Sequence, residues 1–244
     1  MSPPADRQIE FAPAPAADVS LGVFETLLIK DGVAVELPRH LARLATSLHV
    51  LYGRSLPGAL HEQIGAAAEG RALARLRVDV GPARDPGGEI AVEDLDAAVV
   101  MSEHECELAT VSVESGFGVH KLADRGWLEQ VEAAAGDGVR PLLVTRSGAL
   151  LETTRASVFL LRGGVAATPP LDGSILPGVT RDVLLERARR AGIPVHELPL
   201  TLEDLRDADA VILTSALRLI ECARVRAGEQ TSEALARLRA LLAP

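Results

Sequence analysis

The sequence predicts a mixed α/β protein in two parts, and three observations predict it. A strand–turn–strand signal comes first: Val23–Lys30 and Val33–Leu37 flank Asp31-Gly32, a dipeptide that supplies the positive φ of a tight hairpin. Apolar residues then recur at Leu41, Leu44, Ala45, Leu48 and Leu51, the spacing of one helical face. Beyond Lys121, helical stretches alternate with short apolar runs broken by Ser-Gly and Gly-Gly, which read as strands and turns.

The elements follow in order. The first long helix runs from Pro38 to Leu51 and a second covers Pro57–Glu69. Strands are expected at Ala74–Val80, Ala97–Met101 and Ala109–Glu114, with a Gly/Pro-rich loop at Gly81–Gly88. A helix follows Lys121 to about Ala135, then strands at Pro141–Thr145, Val158–Arg162 and Val165–Thr168. Gly178–Ala191 reads as a helix, Val195–Leu198 as a strand, Thr201–Arg206 as a short helix, Ala210–Thr214 as an apolar strand and Ser232–Leu242 as the closing helix. The expected organisation is a flexible leader over 1–18, a small domain over 19–117 and a larger domain over 118–244.

Composition excludes several classes. The formal charge is −9, the wrong sign for a nucleic-acid surface. No apolar run approaches the ~20 residues of a membrane span. Met1–Asp18 is Pro/Ala-rich, carries Asp6 and Arg7, and lacks the basic start and apolar stretch of a signal peptide. Cys106 and Cys222 are the two cysteines, too few for a disulfide framework and wrongly spaced for a metal site. The expectation is a cytoplasmic protein without a metal.

Of 25 basic residues only Lys30 and Lys121 are lysines. Either cation serves on a solvated surface, so a lysine that persists amid so much arginine is a candidate for what arginine cannot do. A desolvated amine forms an imine; a guanidinium stays protonated. Lys30 precedes the hairpin turn and reads as a solvated strand end. Lys121 lies between a β-rich stretch and a helix, and is either a reactive amine or a survivor by chance.

Four further segments can carry chemistry. Leu176-Pro-Gly-Val-Thr-Arg181 opens a helix, so the N–H groups of Val179 and Thr180 point along the positive end of its dipole; it is a phosphate cradle or an ordinary loop-to-helix junction. Glu152 stands ahead of a strand, as a functional carboxylate or a solvated turn residue. Arg43, in His40-Leu-Ala-Arg-Leu44, is a phosphate ligand or a surface charge. Thr214-Ser215-Ala216 ends an apolar strand, where small residues let a ligand approach the backbone or simply make a turn.

Taken in order, Gly-Val-Phe-Glu-Thr (22–26), His-x-x-Arg-Leu (40–44), Lys121, Glu152 with Val158-Phe159, Thr-Pro-Pro-Leu (168–171), Leu-Pro-Gly-Val-Thr-Arg (176–181) and Leu-Thr-Ser-Ala-Leu-Arg (213–218) resemble the class IV pyridoxal-5′-phosphate (PLP) enzymes. That family holds branched-chain aminotransferases, D-amino-acid transaminases and aminodeoxychorismate lyase. The resemblance implies a small N-terminal α+β sandwich domain, a larger β-barrel-like C-terminal domain with flanking helices, PLP between them and a homodimer. It makes Lys121 the Schiff-base lysine and sets Glu152 against the pyridine nitrogen, keeping the ring an electron sink. It gives the cofactor phosphate to Arg43, Val179, Thr180, Ser215 and Ala216.

Within the family the chain resembles the lyase more than the branched-chain enzymes. Arg125 stands four residues after Lys121, and Gly126 occupies the place of the branched-chain enzymes' tyrosine. Six aromatics in the whole chain are few for an aliphatic pocket lined by them. The implied substrate, a dianion, would place its carboxylates against arginines, with Arg77, Arg125 and Arg218 as candidates. Leu21 stands where the family has Asp before Gly22, and Ser157 where it often has Asn. Rival readings are a transaminase of D- or branched-chain amino acids, a catalytically silent PLP-binding partner, and an α/β protein without cofactor.

Overall fold

A computed structural model describes residues 7–83, 88–100, 105–226 and 228–243. In chain order the strands and helices begin with β1 (Gln8–Ile9), β2 (Val23–Lys30), β3 (Val33–Ala34), α1 (Leu37–Tyr52), α2 (Leu60–Ala68), β4 (Leu73–Val80) and β5 (Glu89–Asp94). Next come β6 (Glu107–Val113), α3 (Gly126–Ala135), β7 (Val139–Thr145), β8 (Leu150–Thr153), β9 (Ser157–Arg162) and β10 (Val165–Thr168). The chain closes with α4 (Val179–Arg190), β11 (Val195–Glu197), α5 (Leu202–Asp207), β12 (Ala210–Ser215), β13 (Leu219–Val225) and α6 (Glu229–Leu242). The mixed α/β class is as the sequence predicts.

Two compact units share the chain. Of the described residues, the smaller holds 16–83, 88–100 and 120–125, and the larger holds 7–15, 105–119, 126–226 and 228–243. The chain is thus apportioned otherwise than by a single cut after residue 117. β6 belongs with the larger unit because it pairs along its length with β7, from Glu107↔Val139 to Val113↔Thr145. Residues 120–125 belong with the smaller unit because their backbone bonds to β2.

The smaller unit is an antiparallel sheet in the order β3-β2-β4-β5. β2 and β4 pair over eight residues, Val23↔Val80 through Lys30↔Leu73. Alternation does the rest: Val23, Leu27 and Ile29 of β2 and Ala74, Leu76, Val78 and Val80 of β4 face Leu41, Leu44 and Leu48 of α1 and Leu60 and Ile64 of α2. Pro38 at the start of α1 costs no helical hydrogen bond there, and Gly53 ends the helix at φ 61.

The larger unit is a curled nine-stranded sheet, ordered β1-β6-β7-β8-β9-β10-β11, with β12 beside β9 and β13 beside β12. Its inner face buries Leu108, Leu142, Val144, Leu150, Val158, Leu160, Val211 and Leu213 together with Leu205 of α5. On the other face Val111, Val113, Leu143 and Leu151 meet Leu128 and Val131 of α3. From residue 7 the expected flexible leader is folded. Gln8 and Ile9 pair in parallel with Thr110 and Val111, and Phe11 packs edge-on against Trp127 with ring centroids 5.6 Å apart. Residues 1–6 lie outside the described residues.

Four strands escape the sequence pattern: β1, β5, β8 and β13. The strand expected at Ala97–Met101 is a 3-10 turn over Ala97–Val99, its N-cap Asp96 accepting a hydrogen bond from the Ala98 N–H; Met101 lies outside the described residues.

Candidate active site

Chemistry in the smaller unit gathers at the start of β2. Glu25 is 1% exposed, a carboxylate in a strand that otherwise buries apolar side chains. Arg43 of α1 closes on it as a fork, Nε to Oε1 and Nη2 to Oε2, both at 2.7 Å. His40, one turn earlier on the same helical face, places Nδ1 2.8 Å from Oε2. Burial alone would raise the Glu25 pKa; the hydrogen bonds from His40 and Arg43 and the charges of Arg43 and Lys121 overcome it and hold the group at about 2. Burial also drives the His40 pKa down, against the pull of Glu25.

Residues 120–125 run along the first residues of β2. The Phe24 N–H donates to the Lys121 carbonyl at 2.9 Å, the Ala123 N–H to the Gly22 carbonyl at 2.9 Å, and Leu122 bridges Val23. Lys121 therefore projects to the side of the sheet that carries Phe24, with Nζ 4.9 Å from the ring centroid. The same ring meets Arg77 of β4 at 4.0 Å and Arg125 at 6.0 Å. Asp79, two residues on along β4, clasps Arg77 Nε and Nη2 at 2.6 Å each. Lys121 is partly buried, and its pKa is pushed down to about 8. Burial is the main cause; Glu25 opposes it, and the guanidinium charges of Arg43, Arg125 and Arg77 reinforce it. The amine is neutral in a usable fraction near neutrality, as a nucleophile or base must be.

The larger unit brings the other candidates to the ends of β8, β9 and β12. Glu152 lies within β8, rather than in a turn ahead of a strand, opposite Ser157 of β9. Its Oε1 accepts the Leu176 N–H at 3.0 Å. Leu176 leads into α4, whose N-cap is Gly178 and which has no side-chain cap, leaving the first-turn N–H groups of Val179 and Thr180 to a ligand or water. A Cβ at Gly178 would lie 2.6 Å from Ser157 Oγ, so glycine lets the helix start seat against β9. Ser157 pairs with Thr214 of β12, and Thr214 Oγ1 is buried with no hydrogen-bond partner. Uncapped helical N–H groups, an orphaned hydroxyl and a glycine-only approach are a donor set that fits a phosphate monoester.

The remaining candidates stand as follows. Ser215 Oγ accepts the Arg218 N–H at 3.3 Å, and Ala216 follows in the turn after β12. Arg218 lies 3.5 Å from Glu221, a buried carboxylate that Arg140 also holds at 2.8 Å, so this candidate for a substrate carboxylate already faces an anion. Arg181 is fully buried. It donates to the Pro169 carbonyl at 2.8 Å and to Glu197 at 2.7 Å, tying the Thr-Pro-Pro stretch to α4. Sequence reasoning quoted Phe24 and Glu25 only within a motif, gave no role to Asp79, and placed Thr214 in a ligand-approach segment without a role for its hydroxyl. An acid inside the apolar run of β2, matched to His and Arg three residues apart on the next helix, is the signal that could have found Glu25.

Comparison with known proteins identifies the family. The chain is 29% identical over 79% of its length to a Methanocaldococcus jannaschii protein provisionally named a branched-chain-amino-acid aminotransferase, of which the match spans 74%. It is 26% identical to the aminodeoxychorismate lyase of Bacillus subtilis, over 91% of this chain and 84% of that one. The solved fold IV transaminase of Curtobacterium pusillum superposes with a TM-score of 0.75 at 22% identity, covering 95% of this chain and 91% of that one. Residues 22–226 match the family model for class IV amino-transferases, so the chain belongs to the class IV aminotransferase family, whose cofactor is PLP.

Proposed function

We propose that this protein is a 4-amino-4-deoxychorismate lyase, releasing pyruvate and leaving 4-aminobenzoate. The observation that carries the reading is the set of cations about Lys121: Arg77 and Arg125 share the Phe24 ring with the amine, a field suited to a dianionic substrate. The Arg125 spacing, Gly126 in place of a tyrosine and the likeness to the Bacillus subtilis lyase over most of the chain support it.

The cofactor, when bound, supplies an anchor for the substrate amine and an electron sink for charge that develops beside it. The residues that would hold its phosphate are Arg43 in the smaller unit and, in the larger, the N–H groups of Val179 and Thr180, the Thr180 hydroxyl and the Ser215–Ala216 segment. Glu152 would keep the pyridine nitrogen protonated. Lys121 Nζ takes the ring proton from the amine-bearing carbon. The C–H electrons form the aromatic ring as the neighbouring C–O bond breaks, and the departing enolpyruvate gains a proton to become pyruvate. Arg125 receives carboxylate charge; Arg77 and Arg218, the other candidates, already face Asp79 and Glu221. The working form is a cytoplasmic homodimer.

With aminodeoxychorismate as sole substrate, 4-aminobenzoate and pyruvate should form continuously without a 2-oxo acid, and Lys121→Arg should abolish both, since a guanidinium cannot take the proton. A transaminase would stop after one turnover. That second reading draws on the likeness to the Methanocaldococcus protein; amino transfer from D- or branched-chain amino acids with no aminobenzoate formed would establish it instead.

A further inference from the structure

His120 is the residue immediately before Lys121, and the reaction proposed above leaves it unused. Its Nδ1 lies 3.0 Å from Ser47 Oγ. Ser47 is 3% exposed and follows His40 and Arg43 on the same face of α1. The helix therefore buries three polar side chains in a stripe, two of them on Glu25 and the third on His120. Burial lowers the His120 pKa, which favours the neutral, hydrogen-bonding ring.

The geometry of residues 120–125 gives this contact its meaning. Lys121 and Ala123 are bonded through their backbones to Phe24 and Gly22, an antiparallel pairing in which side chains alternate between faces. Leu122 enters the apolar core beneath the sheet, and His120, of the same parity, reaches Ser47 of α1. Lys121 projects to the opposite face, towards Phe24, Arg77 and Arg125. The residues on either side of Lys121 are thus gripped from below, one by packing and one by a hydrogen bond. We propose that the Ser47–His120 hydrogen bond is a latch that positions Lys121, holding its amine over the Phe24 ring among the guanidinium groups. A leucine at position 120 would fill space; the imidazole adds direction, and a buried Ser47 left without it would carry an unmet hydroxyl.

The inference rests on Lys121 being the reacting amine, and its test reads that amine without turnover. Groups facing Nζ are Glu25, Arg43, Arg77 and Arg125. If the latch loosens, the amine gains water, and its pKa, held down mainly by burial and further by the guanidinium charges, moves towards its ordinary value. Reductive methylation by formaldehyde and cyanoborohydride, followed by peptide mass across a pH series, gives the apparent pKa of Lys121, with Lys30 as the control in the same molecule.

Ser47→Ala and His120→Ala should each raise the Lys121 value by about one unit and leave Lys30 unmoved. Ser47→Thr and His120→Asn, which keep a hydrogen-bonding atom in place, should restore the wild-type profile. Two results overturn the latch: an unchanged Lys121 profile in both alanine variants, or a shift in Ser47→Thr as large as in Ser47→Ala. A protein that transfers amino groups instead of releasing pyruvate would still show these shifts, so failure of the lyase reading and failure of the latch are distinguishable.

Discussion

Glu25 and Lys121 are opposite cases of the same physics. Each is a charged group withdrawn from water, but Glu25 has two cationic or hydrogen-bonding partners at 2.7–2.8 Å, whereas burial dominates at Lys121 and the guanidinium charges add to it against Glu25. The Glu25 pKa in the fold lies below its ordinary value, so it contributes stability that is present above pH 4.5 and is lost as pH falls towards about 2. The Lys121 pKa is also lowered, but for a base this is a cost, present below pH 8 and relieved as pH rises from about 8 towards 10.5. Glu25→Gln leaves the Arg43 guanidinium, with its side chain 9% exposed, without its anion; breaking such a pair costs about 3–5 kcal/mol. Urea unfolding should show that deficit in full at pH 7 and about 1 kcal/mol less of it at pH 4, because wild type is losing the same term. An equal deficit at both values would mean that the carboxylate charge contributes nothing. The lysine's singularity was legible because the chain has two lysines among 25 basic residues. The carboxylate beneath it was not, because only the fold brings residue 25 to residues 40 and 43.

Element by element, what could be read was what carried its own period or punctuation. The β2–β3 hairpin, α1 and α4 announce themselves by Asp31-Gly32, by a repeating apolar face and by Pro177-Gly178. β5 does not, because it is an edge strand with Glu89, Glu93 and Asp94 exposed, which is how edges are kept from pairing further. β8 is four residues long, and Glu152 and Thr153 end its apolar run after two leucines. β13 is separated from β12 by only Ala216, Leu217 and Arg218, and begins at Leu219 with φ 53, a tight reversal that sequence offers no glycine to mark. The start of α4 supplies a test at this scale. Gly178 has φ −66, which any residue adopts, so alanine there is excluded only by the 2.6 Å approach of its Cβ to Ser157 Oγ. Gly178→Ala should displace the helix N-terminus and weaken binding of PLP by tenfold or more, about 1.4 kcal/mol. Binding of pyridoxal, which lacks the phosphate, should change little. Equal losses for the two ligands in titration calorimetry would show that the helix start does not serve the phosphate.

Across the whole molecule the two units contribute different chemistry. The smaller holds the amine, its cations and the Glu25 clasp; the larger holds Glu152 and the uncapped helix start. The β-sheet architecture of each was legible in outline, while the assignment of residues 105–119 and 120–125 to different units depended on pairings between segments distant in sequence. One experiment uses the entire chain and the scarcity of its lysines. Loading with PLP followed by borohydride should leave a stable adduct on a single peptide, the one that contains Lys121. Lys30 is the internal control: it ends β2 beside the hairpin turn, has an ordinary strand-end setting, and is available to any reagent that simply scavenges amines. Before reduction, the thermal midpoint should rise with cofactor concentration, by an amount equivalent to about 2.7 kcal/mol at a hundredfold excess over Kd. Lys121→Arg should remove the adduct and reduce that rise without erasing it, since the residues proposed for the phosphate are unchanged. An adduct on Lys30, or none on either lysine despite a thermal shift, would separate cofactor binding from covalent capture and take from Lys121 the role its setting argues for.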